Sequence, residues 1–230
     1  MPFGMTDRAP SVEREELKAQ RNHWEANFAT RPEMFGVGES HAARRAAEQF
    51  HQARVSNVLE LGAGQGRDTL FFANQGLRVC ALDYSAAGLA IVRRKAASTG
   101  LSDLVEAVCH DVTLPLPFSG NTFDACYAHM LYCMALSSAE IHALAQEVGR
   151  VLKPGGPSIY TVRHTGDPHY RKGLHRGEDR WEMGGFIVHF FTREKVHSLA
   201  SGYELLRVEE FEEGGLPRRL FLVIQWKAQS

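Results

Sequence analysis

Seven short apolar, strand-like runs punctuate the chain, at residues 55–61, 78–83, 105–112, 123–129, 158–163, 203–211 and 220–227. Helical periodicity fills the gaps between the first five. Ser85 can cap a helix reaching Ala97, with Leu89, Val92 and Ala96 on one face. Ser137 and Glu140 form a capping box ahead of Ile141, Leu144, Ala145, Val148 and Leu152, a buried stripe that Lys153-Pro154-Gly155-Gly156 terminates. Strands alternating with helices require a parallel sheet covered on both faces. The last two runs break the pattern. Only about eight residues separate them, short of the dozen that a parallel crossover needs, so they pair antiparallel. The expectation is an α/β fold: a mostly parallel seven-stranded sheet with a C-terminal antiparallel hairpin and helices on both faces. Thr192 can cap a further helix reaching Gly202, and residues 11–28 and 40–53 read as two helices over the sheet's edge or its ligand. Residues 1–54 thus form a tail and capping helices, and residues 55–230 a single domain.

Composition narrows the function classes. Hydrophobic residues make up 44% and charged residues 23%, which excludes a disordered chain. Lys plus Arg number 26 against 27 Asp plus Glu, a net charge of −1 that argues against bulk-charge adhesion to nucleic acid or membranes. No run approaches the ~18 apolar residues of a membrane span. The first ten residues lack a secretory core and read as a frayed tail in which Met5 is an alternative start. Cys80, Cys109, Cys126 and Cys133 show no metal-binding spacing; three lie in strand-like runs as small buried hydrophobes, and a reduced, cytoplasmic setting follows.

The chemistry concentrates where the first strand ends, at Glu60-Leu61-Gly62-Ala63-Gly64-Gln65-Gly66. A buried strand enters a glycine-rich turn and then a helix, so backbone can approach a ligand closely at the positive end of a helix dipole. Asp83 ends the next strand about 20 residues on, where a carboxylate can accept both hydroxyls of a ribose. Two ligands compete for such a site. The nicotinamide fingerprint wants a third Gly three residues after Gly64, but Arg67 stands there. Glu60, two residues before the first Gly, repels a pyrophosphate and suits a cation. S-adenosylmethionine has a ribose, an adenine, a sulfonium and an amino acid tail, and no phosphate.

Here the chain resembles the class I S-adenosylmethionine-dependent methyltransferases, over residues 55–227. The resemblance implies a Rossmann-like fold, S-adenosylmethionine as cofactor and S-adenosylhomocysteine as product. It implies that Glu60, Gly62, Ala63, Gly64 and Gly66 hold the methionine part, Asp83 the ribose, and Tyr84 lies beside the adenine. His110-Asp111-Val112 resembles the adenine motif, with Asp111 and Val112 as contacts. Phe123-Asp124-Ala125-Cys126-Tyr127 and Arg150-Val151-Leu152-Lys153-Pro154-Gly155-Gly156 resemble the motifs of the fourth strand and of the approach to the fifth, with Tyr127 in the cofactor site. The Trp24-Glu25 segment and the short chain are similar to small-molecule methyltransferases of the tellurite-resistance and thiopurine type. Trp24 and Phe28, at i and i+4, are expected to roof the site, Trp24 over the cofactor and Phe28 by the acceptor.

Carboxyl strand ends are where open α/β sheets bind ligands. His129 and Tyr132 leave the fourth strand there, His129 as the best general-base candidate and Tyr132 beside it. Arg163, His164, His169 and Tyr170 leave the fifth strand in a long, His-rich loop of the length that lids use, and Arg218 joins them if the last hairpin folds over the same opening. This set suits a small polar or anionic acceptor. His164, His169, His175 and His189 lack the short spacing of metal ligands, so no metal is expected. Direct methyl displacement needs no covalent nucleophile, and alignment with water exclusion carries it. Nothing in these motifs selects oxygen, nitrogen, sulfur or a chalcogen oxyanion as attacking atom, or sets an oligomeric state. A non-catalytic S-adenosylmethionine-binding protein and a nicotinamide-dependent oxidoreductase stay as alternatives.

Overall fold

The computed structural model describes residues 10–214 and 218–229; the expected frayed tail with Met5 lies outside them. Seven strands form one sheet in the order β3-β2-β1-β4-β5-β10-β9. They are β1 (Asn57–Leu61), β2 (Arg78–Asp83), β3 (Val105–Cys109), β4 (Ala125–His129), β5 (Pro157–Arg163), β9 (Tyr203–Glu213) and β10 (Arg218–Lys227). The first five are mutually parallel. β10 runs antiparallel to both β5 and β9. The expected Rossmann-like sheet with its terminal hairpin is present. The chain leaves β1 in one direction toward β2 and β3 and returns to the other side for β4, so the topological switch point lies between β1 and β4.

The helices start where the sequence places their caps. Ser40 caps α2 (His41–Gln52), Ser85 caps α4 (Ala86–Ser98), and Ser137 with Glu140 forms the capping box of α5 (Ser138–Val151). Capping satisfies amides that have no partner inside the helix. α1 (Pro10–Thr30) runs two residues beyond its expected end, whereas α6 (Arg193–Ser198), capped by Thr192, stops short of Gly202. α3 (Arg67–Asn74) follows the glycine turn, with Gly66 at φ 79° as its N-cap.

Alternation along the strands splits the core into two layers. Leu59, Leu61, Cys126, Ala128, Tyr160 and Val162 pack against α5. Val58, Tyr127, Ile159 and Leu222 pack against Phe50 of α2 and Phe72 of α3. Cys109 sits on the edge strand β3 and is exposed, while Cys133, from the turn after β4, is buried. An edge strand has one uncovered side, which the apolar run around Cys109 does not reveal.

The long loop after β5 is the main departure from expectation. It contains a three-stranded antiparallel sheet of β6 (Leu174–His175), β7 (Arg180–Met183) and β8 (Phe186–His189). Gly184 and Gly185, both at positive φ, join β7 to β8. A two-residue Gly-Gly connection is a hairpin signal, because both positions need the left-handed region.

Asp124 ties the parallel strands together at their amino ends. Its carboxylate accepts from the Ser56 amide at 3.0 Å, the Asn57 amide at 2.9 Å, the Ser56 hydroxyl at 2.8 Å and Lys153 Nζ at 2.7 Å. Burial pushes its pKa up, and those donors outweigh burial and bring it down to about 2. A folded pKa below the unfolded value of about 4 means that the carboxylate stabilises the fold above that pH. The contribution is lost as pH falls through about 2. Asp124→Asn is expected to cost about 1–3 kcal/mol at neutral pH. The gap to the parent should narrow steadily on acidification, and urea melts across the acid range check this; a gap independent of pH would contradict it.

Candidate functional site

One cavity of about 750 Å³ opens at the carboxyl ends of β1, β2 and β4, at the switch point. The glycine turn is its floor. Gly62, Gly64 and Gly66 all adopt positive φ, at 72°, 53° and 79°. Asp83 holds the turn: its Oδ2 accepts from the Gly64 amide at 2.9 Å and its Oδ1 from the Ser85 amide at 2.8 Å. Each carboxylate oxygen keeps a further lone pair for a ligand hydroxyl. Burial raises the Asp83 pKa, partly countered by these amides.

Glu60 is the unusual group. It is buried at the end of β1 and lines the cavity. The Thr69 hydroxyl donates to it, and no cation lies within ion-pair distance among the described residues. Burial, then neighbouring Asp68, push its pKa well above the ordinary carboxylate value. Asp68 also faces the cavity, but Ser40 and the Tyr127 hydroxyl donate to it and Arg67 Nε lies 3.5 Å away.

The roof comes from α1 and the turn after it. Phe28 lies on Gly64, where an added Cβ would stand 3.2 Å from its ring. Gln65 bonds the roof's backbone three times, donating to Phe28 O and Arg31 O and accepting from the Met34 amide. Arg67 donates to Phe35 O at 2.7 Å. Glu25 of α1 accepts from Ser85 Oγ and from the Ala87 amide, fixing the roof to the start of α4. Gln20 crosses to the small sheet, donating to Gly185 O at 2.7 Å and accepting from the Ile187 amide at 3.1 Å. Roof and small sheet thus close one cavity together.

Of the residues read from sequence, Trp24, Phe28, Glu60, Gly62, Ala63, Gly64, Asp83, Tyr84, Asp111, Val112, His129, Arg163, His169 and Arg218 line this cavity. Others do not reach it. Gly66 faces Val92 beneath the turn. Tyr127 points from the same sheet face as His129 but one pleat earlier, under α2 and α3, where its hydroxyl meets Ser40 and Asp68. Met130, at φ 59°, turns the chain so that Leu131 and Met134 face the cavity while Tyr132 enters the core against Tyr160. His164, opposite in pleat to Arg163, stacks on Phe221. Tyr170 donates to Asp179 and packs on Phe190.

Two of these side chains are already engaged. Arg163 Nε donates to Asp167 Oδ2 at 2.9 Å and its Nη2 contacts both Asp167 Oδ1 and His169 Nδ1. His129 has a neighbour at each ring nitrogen: Thr161 Oγ1 at 2.9 Å from Nδ1, and Glu213 Oε2 at 3.0 Å from Nε2. Glu213 ends β9 and is a site residue that sequence reading missed. Burial raises its pKa, and His129 with Arg67 outweighs that and lowers it to about 2. Gln65, Arg67 and the apolar wall of Trp181, Met183, Phe186, Val188 and Phe190 were missed as well. For the wall, the Gly184-Gly185 hairpin was the available signal.

A profile described as a methyltransferase domain matches residues 58–156. The sterol 4-C-methyltransferase of Caenorhabditis elegans is 30% identical over 170 residues, 71% of this chain and 48% of that protein. Phosphoethanolamine N-methyltransferase of Triticum aestivum is 29% identical over 150 residues, 62% of this chain and 29% of that protein. Residues 58–156 thus match a methyltransferase domain, within the region that resembles the class I enzymes. The chain spans about half the length, or less, of these curated relatives. The fold of the methyltransferase domain together with its cap resembles 1,6-didemethyltoxoflavin-N1-methyltransferase of Burkholderia thailandensis, at TM-score 0.72, 18% identity, 99% coverage of this chain and 94% of that one. That protein's structure holds S-adenosylhomocysteine.

The Gly64–Phe28 contact can be tested without ligand. Gly64→Ala places a side chain at φ 53° and drives it into the Phe28 ring. The variant should keep its circular dichroism spectrum while α1 becomes cleavable by limited proteolysis. Parent-like resistance would show that the roof does not depend on this contact.

Proposed function

We propose that the protein transfers the methyl group of S-adenosylmethionine to a small acceptor. The observation that carries this reading is Glu60, a buried carboxylate at the glycine turn with no cationic partner among the described residues. Such a group is costly to ionise unless a ligand supplies positive charge. A phosphate-bearing dinucleotide would meet Glu60, Asp68 and Asp83 with the wrong sign, which disfavours the oxidoreductase alternative. Glu60 and the turn's backbone would hold the amino acid end, Asp83 the ribose, and Asp111 and Val112 with Tyr84 the adenine. When bound, the cofactor supplies a methyl on a sulfonium, already an excellent leaving group.

The protein's part is then orientation and exclusion of water. Trp24 and Phe28 roof the cavity, and Gln65 keeps that roof against the turn. His129 does not offer a free ring nitrogen, so we assign it to placing the acceptor beside Glu213 rather than to removing a proton. Four cysteines without disulfides support a reducing, cytoplasmic setting.

Calorimetry with S-adenosylmethionine tests the first assignment. A cation beside Glu60 lowers its raised pKa, so binding releases a proton and tightens as pH rises through the free-protein pKa. Proton release should appear as a buffer-dependent enthalpy and vanish in Glu60→Gln. Asp83→Ala should weaken binding by roughly 1.5–3 kcal/mol per lost charge-assisted bond. Unchanged affinity in both variants would defeat the reading, and binding without S-adenosylhomocysteine release across a panel of small acceptors would leave a binding protein instead.

His129 has its own test. Among acceptors that turn over, His129→Ala is expected to raise acceptor KM while kcat falls less than about tenfold. A kcat loss of about 10²-fold or more, with a limb of the pH profile removed, would make it the base.

A further inference from the structure

The acceptor end of the cavity has a chemistry of its own, and its occupant rests on the methyl-transfer reading above. β7 and β8 pair Trp181 with Val188 and Met183 with Phe186, so these four side chains share one face of the small sheet. All four line the cavity, which gives it a flat, apolar and partly aromatic wall. The same cavity is lined by two arginines that the main sheet sets on a common face, since Arg163 pairs with Leu220 and Arg218 lies two residues before it. They differ in charge balance. Arg163 is neutralised by the bidentate contact with buried Asp167. Arg218 lines the cavity with no hydrogen bond or ion pair among the described residues. Burial, then Arg163, make its charge harder to hold, and Glu213 and Asp167 offset this only in part from beyond ion-pair distance. A half-buried guanidinium that lines a cavity and has no partner of its own among the described residues suits an anion.

We propose that the methyl acceptor is a small planar or aromatic carboxylate, its anionic group paired by Arg218 and its apolar body laid along the Trp181–Val188 wall. A monoanion is favoured over a phosphate because Glu213 and Asp167 stand close to the same arginine and would repel a second negative charge.

The test uses the intact protein saturated with S-adenosylhomocysteine and calorimetric titration of benzoate, phenylacetate and an indole carboxylate, each beside its uncharged amide, with phenyl phosphate as a separate arm. At least one carboxylate should bind roughly tenfold or more tightly than its amide, the ratio expected of a desolvated charged pair. Arg218→Gln should erase that difference and Arg218→Lys restore part of it, with S-adenosylhomocysteine affinity and the circular dichroism spectrum unchanged in both. Equal affinity for every acid and its amide, a difference that survives in Arg218→Gln, or tighter binding of phenyl phosphate would overturn the carboxylate assignment. A parent protein that fails to bind S-adenosylhomocysteine would overturn the methyl-transfer reading itself, a separate outcome.

Discussion

The bond from the Gly64 amide to Asp83 Oδ2 is the contact on which the rest of the site depends. It fixes the glycine turn against the end of β2, and the turn in that position sets three other approaches. Gly88 at the start of α4 comes so near the Gly64 carbonyl that an added Cβ would stand 2.6 Å from it. Phe28 rests on the same glycine from above. Gln65, the residue after it, holds the roof by three backbone bonds. One carboxylate at a strand end thus sets cavity floor, flanking helix and cover together. Its second oxygen accepts from the Ser85 amide, so the start of α4 is tied to the same group.

The cover has two sources distant in sequence, α1 and the β6–β8 insertion, and they meet through Gln20. Gly185 shows how close that meeting is. A Cβ there would lie 2.8 Å from the His23 ring, and the glycine's φ of 82° also suits the hairpin. An enclosed cavity lowers the local dielectric and strengthens whatever charges face into it. Neither half of the cover closes the cavity alone, so opening one side exposes the site to water.

Much of this was legible in the sequence because it rests on short-range rules. Caps at Ser85, Ser137 and Thr192, a glycine turn and an acid at the next strand end are local patterns with local causes. The short spacing of the last two strands fixed their antiparallel pairing for the same reason. What escaped was set by direction and by distant pairing. Strand alternation puts Tyr127 and His129 on one face, yet only the tertiary position of α2 and α3 decides that Tyr127 is covered and His129 is not. Tyr132 looked adjacent to His129, but the positive φ of Met130 reverses the chain between them. Glu213 carries no motif; it meets His129 because β10 inserts between β5 and β9 and brings the end of β9 over the cavity. Arg163 reads as a cation for the acceptor, but Asp167, four residues on, holds it.

The cavity is electrostatically divided, and the division bears on turnover. Uncompensated acid stands at the glycine turn, and uncompensated base stands at Arg218. A ligand with a cationic end and a partner with an anionic end would each satisfy what the other leaves open, so binding of the two would be complementary rather than competitive. On the methyl-transfer reading proposed above, the ammonium that Glu60 would meet is the same before and after reaction, so the acidic floor would hold reactant and product through one group, and the charge that changes would lie between the two poles of the cavity rather than at either of them.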